Sequence, residues 1–245
     1  MIKKRKLGKS DLYVSEIGLG GWQLGAPVQI NNKPGTSFGG LDEDTAYRII
    51  TTALELGVTT FDTADIYSLG NSEIRLGNIL KDYRSDVQIF TKAGHVPGFP
   101  KWSIDYSYNH LISAIDRSLS RLQTDYVDLF QIHYPPNSEE DYVSIEKAFN
   151  SIKSDSKASY CGISVGIHYD KAIEIIKRGI VDCIQLYFTL IDPKPLETLL
   201  PLAKKNNIGI IVAEPLAQGF LTNKYKPGHV FPNDDIRHHA YPNEL

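Results

Sequence analysis

Residues 59–73 read TTFDTADIYSLGNSE. An apolar run of strand length stops at Asp62, a second acid follows at Asp65, and a phenol at Tyr67. A charge at a partly buried strand end is costly unless something pairs with it. The carboxylate at Asp62 therefore asks for partners, and the rest of the chain supplies them.

Outward from this stretch the chain alternates. Short apolar runs of strand length are followed by longer segments with helical spacing. Strands are predicted at 16–22, 59–62, 87–92, 127–133, 160–164, 183–186 and 209–213. Helices are predicted at 42–56, 71–81, 108–122, 142–152, 169–178 and 195–205. The first helix begins with acids and ends before Gly57, as a capped helix should. The second has Ser72 at its cap position and an apolar set of Ile74, Leu76, Ile79 and Leu80. The third places Leu111, Ile115, Leu119 and Leu122 on one stripe. Such alternation, with right-handed crossovers, predicts a parallel sheet covered by helices. Before the first strand, RKLGKSDLYVSEIGLGGW reads as a β-hairpin with a glycine in its turn. No helix opens directly behind the glycines of GLGGWQLG, so they fail as a dinucleotide fingerprint. The pattern favours a single (β/α) barrel domain over residues 1–245 rather than a doubly wound sheet.

Composition narrows the function. The chain has 245 residues, 42% hydrophobic and 22% charged, with a formal net charge of −3. That balance suits a globular protein and argues against a nucleic-acid partner, since no basic stripe is present. No apolar run approaches the ~20 residues that cross a bilayer. The basic opening MIKKRK lacks the apolar run of a secretory signal. Cys161 and Cys183 stand in no metal-ligand spacing and read as reduced thiols, which points to a cytoplasmic protein. His238 and His239 read as solvated residues of a polar tail, and no metal site is predicted.

The strand ends carry the chemistry. Asp62, Lys92, His133, Ser164, Gln185 and Glu214 each close an apolar run just before a loop. In a parallel barrel these C-terminal ends share one rim, where such barrels place their active sites. An ammonium beside a phenol lowers its pKa from the usual value near ~10. Lys92 can act so on Tyr67, with Asp62 holding Lys92. His133 can donate to a substrate carbonyl oxygen, and Tyr67 can protonate that oxygen as charge develops. This set suits hydride delivery to an aldehyde or ketone. It does not suit acyl transfer, because no serine stands in a nucleophile elbow. Asp62 and Asp65, three residues apart on one strand end, do not flank a sugar as glycosidase carboxylates do. Trp102, Tyr106 and Tyr108 either line a substrate mouth or pack under a loop.

The stretches FDTADIY, NSEIRLGNIL, IFTKAG, SLSRLQTDYVDLFQIHYPP, YCGIS and PLAQGFLTNKY, with the front segment, resemble the aldo-keto reductase family. The resemblance covers nearly the whole chain. It implies a (β/α)8 TIM barrel that binds NADPH without a Rossmann domain, with a catalytic tetrad at Asp62, Tyr67, Lys92 and His133. It implies cofactor contacts at Gly21, Trp22, Asp62, Ser164 and Gln185, the last two holding the nicotinamide carboxamide. The loop Glu214, Pro215, Leu216, Ala217, Gln218 and Gly219, continuing to Lys224, would cover the pyrophosphate. The partner implied is a small-molecule carbonyl substrate.

The chain departs from the family pattern in places. Val165 follows Ser164 where the family often has an asparagine, and Ala213 stands where many members carry an aromatic residue or an arginine. Seven strands are predicted, and the family's eighth strand and its 2′-phosphate segment fall outside these residues. A sequence cut short of the natural protein, a shortened member and a tail replaced by a partner chain are the three accounts open. Continuation of the chain implies a monomer or weak homo-oligomer; a true end at Leu245 implies low stability or an obligate dimer. Two other functions stay open on this barrel. One is a non-redox cofactor-binding regulatory subunit, as in potassium-channel β subunits, and the other is a lyase or dehydratase.

Overall fold

The computed structural model describes residues 2–25, 29–30, 33–34, 41–97, 103–226, 228–232, 235 and 237–238, with backbone only at 29–30 and 33–34. Seven strands form one parallel sheet: β1 (Leu19–Gly20), β2 (Thr60–Asp62), β3 (Gln88–Ala93), β4 (Val127–Ile132), β5 (Ala158–Gly166), β6 (Cys183–Tyr187) and β7 (Gly209–Ala213). Each pairs with its sequence neighbour, so spatial order and chain order coincide. The sheet curls, with helices on its outer face, as in a (β/α)8 barrel. Because all seven strands run the same way, their C-terminal ends lie at one rim.

The helices are α1 (Glu43–Glu55), α2 (Asn71–Leu80), α3 (Tyr108–Leu122), α4 (Glu139–Ser154), α5 (Tyr169–Arg178) and α6 (Leu199–Lys205). Asp42 caps α1 by accepting from the Thr45 amide, and Ser138 and Asp141 form a reciprocal capping box at α4. The stripe predicted on α3 is the buried one: Leu111, Ile115 and Leu122 are sealed in the core. Truncating a side chain such as Ile115 to alanine costs about 2–5 kcal/mol.

Two local expectations are corrected. Ser72 does not cap α2; Gly70, in the left-handed region at φ 91°, precedes that helix. Ser72 is buried inside it, where its hydroxyl donates to Gly21 O at 2.7 Å and meets Thr63 Oγ1 at 2.8 Å. Trp22 is not in a strand. β1 is only two residues long, and Trp22 opens a 3-10 turn, Trp22–Leu24, directly behind it.

The predicted hairpin pairs Lys4–Lys6 with Tyr13–Ser15. Gly8, at φ 57°, lies where a Cβ would meet Gly209 N at 2.2 Å, so the turn fits only a glycine. Leu7 packs on Phe90, Leu129 and Cys183, with Leu12, Val14 and Tyr160 around them. This plug closes the end of the barrel opposite the rim and leaves the rim as its open mouth.

Among the described residues, no helix is long and apolar enough to cross a membrane. Tyr106 and Tyr108 resolve to packing. Tyr106 is buried and donates to Tyr134 O at 2.8 Å, and Tyr108 donates to Ser151 Oγ at 3.1 Å. His238 is half-buried against Phe231 O at 2.7 Å rather than solvated. Trp102 and His239 lie outside the described residues.

Candidate active site

Asp62 ends β2, and Lys92 lies one residue before the end of β3. The register pairs Asp62 with Phe90, which brings Lys92 just above Asp62 on the neighbouring strand. Lys92 is 1% exposed. Its ammonium donates to Asp62 Oδ1, to Thr63 O at 2.9 Å and to Tyr67 Oη at 3.4 Å. A buried ammonium with an anionic partner and a backbone acceptor is compensated rather than orphaned. Asp62 Oδ2 accepts from Gln185 Nε2 at 3.0 Å and from Gln131 Nε2 at 3.3 Å. β2 ends in a carboxylate because β3, β4 and β6 each aim a donor at it.

Tyr67 follows β2 on a tight turn. Ser68 and Leu69 both have positive φ, 50° and 55°, and Gly70 follows at 91°. This left-handed run reverses the chain so that α2 starts directly behind the phenol. Tyr67 is half-buried between Trp22, at 5.6 Å between ring centroids, and His133, at 5.4 Å in a T-shaped contact. Burial, then the charges of Asp62, Glu214 and Asp65, hold its pKa well above the ordinary phenol value. The depression expected from Lys92 is overturned: Asp62 matches that ammonium, and the charges of Asp62, Glu214 and Asp65 act in the same direction as burial. Tyr67 is therefore a protonated phenol.

His133 follows β4, and its backbone amide donates to Ala93 O at 2.9 Å. Burial, Lys92 and His95 push its pKa well below the ordinary histidine value, so the ring is neutral. Its Nδ1 is sealed from solvent and has no partner among the described residues.

The remaining predicted residues frame the same mouth. Gly21 donates its amide to Asp62 O at 2.6 Å, and a Cβ there would meet Ser72 Oγ at 2.6 Å. Ser164 and Gln185 are register partners on β5 and β6, both buried. Val165 is fully buried in the apolar core and offers the mouth no polar group. Glu214 follows β7 at φ 53° and accepts from Gln218 Nε2 at 3.1 Å. Burial raises its pKa. Pro215 and Leu216 are exposed, and Ala217 to Gly219 are half-buried. The backbone runs left-handed through Ala217 (φ 48°), Gln218 (φ 54°) and Gly219 (φ 96°), where the Ala217 amide donates to Glu214 O at 2.8 Å and the Gly219 amide to Leu216 O at 3.0 Å. Lys224 is exposed, with its ammonium 5.5 Å from the Tyr225 ring.

Several supporting residues escape sequence reasoning. Gln131 interrupts the apolar run of β4 two residues before His133, so alternation along the strand could have put both on the inner face. Glu73 is fully buried, accepting from Thr91 Oγ1 at 2.6 Å and Arg121 Nη1 at 3.0 Å. Asp65 sits beside it, its Oδ1 sealed from solvent and without a partner among the described residues. Burial first, then Glu73, raises Asp65 to about 7. His95, in the loop after β3, left no sequence signal beyond its type.

Comparison with known proteins agrees with this geometry. The pattern of the aldo/keto reductase family matches residues 16–243. The uncharacterized oxidoreductase YqkF of Bacillus subtilis is 35% identical over 225 residues, 91% of this chain and 68% of that protein. The NADH-specific methylglyoxal reductase of Escherichia coli is 31% identical over 244 residues, 93% of this chain and 72% of that one. The holo form of aldo-keto reductase AKR11C1 from Bacillus halodurans superposes with a TM-score of 0.81 at 34% identity, covering 95% of this chain and 73% of that one. Sequence pattern, fold and relatives thus converge, and the chain belongs to the aldo/keto reductase family of oxidoreductases.

Proposed function

We propose that the protein reduces an aldehyde or ketone to an alcohol with NADPH, Tyr67 being the general acid. The observation that carries this reading is the protonated Tyr67 hydroxyl, 3.4 Å from the Lys92 ammonium and in ring contact with a neutral His133. A bound nicotinamide supplies the hydride that the carbonyl carbon gains. Tyr67 Oη gives its proton to the carbonyl oxygen as negative charge builds there. The phenolate left behind faces the Lys92 ammonium, so the cation acts on the product of proton transfer rather than on the resting phenol. His133 donates one hydrogen bond to the same oxygen and orients the carbonyl.

The residues present fit such a cofactor. Gly21 packs closely on Asp62, Thr63 and Ser72, which sets Trp22 beside the Tyr67 ring at the mouth. Gln218 Oε1 is buried without a partner among the described residues, a polar atom that a ligand would satisfy. On this reading Ser164 and Gln185 hold the carboxamide, the loop from Glu214 to Gly219 covers the pyrophosphate, and Lys224 offers a cation to phosphate.

The test is a fluorescence titration with NADPH and, separately, NADH, followed by a single turnover with an aldehyde. Reduced cofactor is expected to bind and to be oxidised only when aldehyde is added. Tight binding without oxidation would instead make the chain a cofactor-binding regulatory subunit. Product formed without any nicotinamide would make it a lyase.

A further inference from the structure

His95 has no part in the chemistry above, yet it is built into the site with care. Gly94 turns the chain at φ 116°, a conformation that favours glycine, and a Cβ there would meet the Tyr106 ring at 2.9 Å. The next two residues, His95–Val96, pair with Ser103–Ile104 in a short antiparallel ladder, which fixes the backbone at His95. The ring lies 5.0 Å from that of His133 and 5.7 Å from that of Tyr134. Tyr134 in turn meets His168 Nε2 through its hydroxyl at 2.9 Å. Trp22, Tyr67, His133, His95, Tyr134 and His168 thus follow one another around the rim, each within 5.7 Å of the next.

This arc is polar where a pocket for an apolar carbonyl would be greasy. Past Tyr67, each ring carries a hydrogen-bonding atom. His95 Nδ1, like His133 Nδ1, is sealed from solvent and has no partner among the described residues. Half-buried polar rings without partners are expensive unless a ligand uses them. Burial also lowers the pKa of His95, so two neutral imidazoles stand side by side. A neutral imidazole keeps one donor, and it adds no charge that would repel Lys92.

We propose that His95 is a specificity-determining residue that hydrogen-bonds an oxygen on the carbon next to the reacting carbonyl. The favoured substrates are then α-hydroxy and α-oxo aldehydes or ketones. The inference rests on the carbonyl-reduction reading. With the carbonyl oxygen between Tyr67 and His133, an oxygen one carbon away falls toward the next ring of the arc, which is His95. A simple alkyl aldehyde leaves that imidazole unused.

Glyceraldehyde and propanal separate the two cases, each assayed on the full chain with a saturating reduced nicotinamide. The wild type is expected to prefer glyceraldehyde in kcat/KM. His95→Phe, which keeps a flat ring against His133, is expected to lower that preference about tenfold, mainly through KM for glyceraldehyde. This is the scale of one hydrogen bond lost at a site built to receive it. His95→Gln, which keeps a donor, is expected to recover part of the preference. A partly unfolded variant loses both activities alike and leaves the ratio unmoved, so the ratio is read on protein of wild-type circular dichroism. A folded His95→Phe with the wild-type ratio overturns the proposal, as does a wild type with no preference. A wild type that turns over neither aldehyde overturns the carbonyl-reduction reading itself.

Discussion

Gln185 on β6 donates its side-chain amide to Asp62 Oδ2 at 3.0 Å, across 123 residues of sequence. Gln131 reaches the same oxygen at 3.3 Å. Losing the closer donor loosens the carboxylate that holds Lys92. Gln185→Leu is expected to lower kcat/KM for an aldehyde about tenfold or more, since a hydrogen bond to a charged group is worth ~1.5–3 kcal/mol. Steady-state kinetics check this, and a change below about twofold would show that Asp62 does not need the amide.

Removal of one oxygen tests the acid. Tyr67→Phe keeps the ring against Trp22 and His133 and deletes only the hydroxyl, whose contact to Lys92 is long at 3.4 Å. Turnover of a simple aldehyde is expected to fall at least ~100-fold, the scale of one positioned acid. The melting temperature is expected to stay close to that of the wild type. Equal turnover would remove Tyr67 from the chemistry.

The ion pair at the centre of the site also bears on stability. Lys92→Met leaves Asp62 without its cation, and breaking a buried pair costs ~3–5 kcal/mol. The Asp62 side chain is 17% exposed, so the lower end, about 3 kcal/mol, applies. Adding Asp62→Asn removes the stranded charge and is expected to restore part of the loss. Urea unfolding of the two single variants and the double variant measures the coupling. Additive losses would mean that the pair contributes no interaction of its own.

How far the sequence reaches is visible in these residues. Asp62, Lys92, His133 and Glu214 were legible because a parallel sheet forces C-terminal ends to one rim, whereas Ser164 and Gln185, expected at strand ends, lie two residues inside β5 and β6. The helices were legible from caps and stripes, to within a few residues at each end. Ser72 misled because a serine at a helix start signals a cap, while its real role is to bond Gly21 across 51 residues. Tyr67 misled in the direction of its shift: pairing of Lys92 with Asp62 and the burial of the ring are three-dimensional facts. Glu73 and His95 were invisible for a related reason. Their importance lies in which group they face, and one sequence without its fold does not show that.

Asp65 gives a pH prediction. Its carboxyl has a pKa of about 7 in the fold against 3.8 as the ordinary value, so the folded chain binds this proton more tightly than the unfolded chain. That contribution is fully present below pH ~4 and is lost as pH rises through about 7. Ionised Asp65 then sits half-buried beside the fully buried Glu73. Asp65→Asn is expected to stabilise the protein by about 2–4 kcal/mol at pH 8, from ~1.4 kcal/mol per pH unit, and to flatten its profile between pH 4 and 7. Urea midpoints across that range decide it, and parallel profiles for the two proteins would refute it.

The segment after β7 combines strain with restraint. Glu214, Ala217, Gln218 and Asn223 all hold positive φ without being glycine, a conformation that persists only where surroundings impose it. Part of that imposition is Arg237, whose Nη1 donates to Gln218 O at 2.8 Å and Tyr225 Oη at 3.0 Å. On the proposed reading, bound pyrophosphate would give the loop amides and Lys224 further partners. Slower opening should follow, because a ligand that binds the ordered form shifts the local equilibrium toward it. Hydrogen exchange with saturating NADPH is expected to slow the amides of residues 216–225 at least ~10-fold, the effect of about 1.4 kcal/mol. The helix α3, remote from this loop along the chain, should change little. Unchanged exchange across 216–225 at a concentration where fluorescence shows the cofactor bound would rule out this loop as the cover of the pyrophosphate.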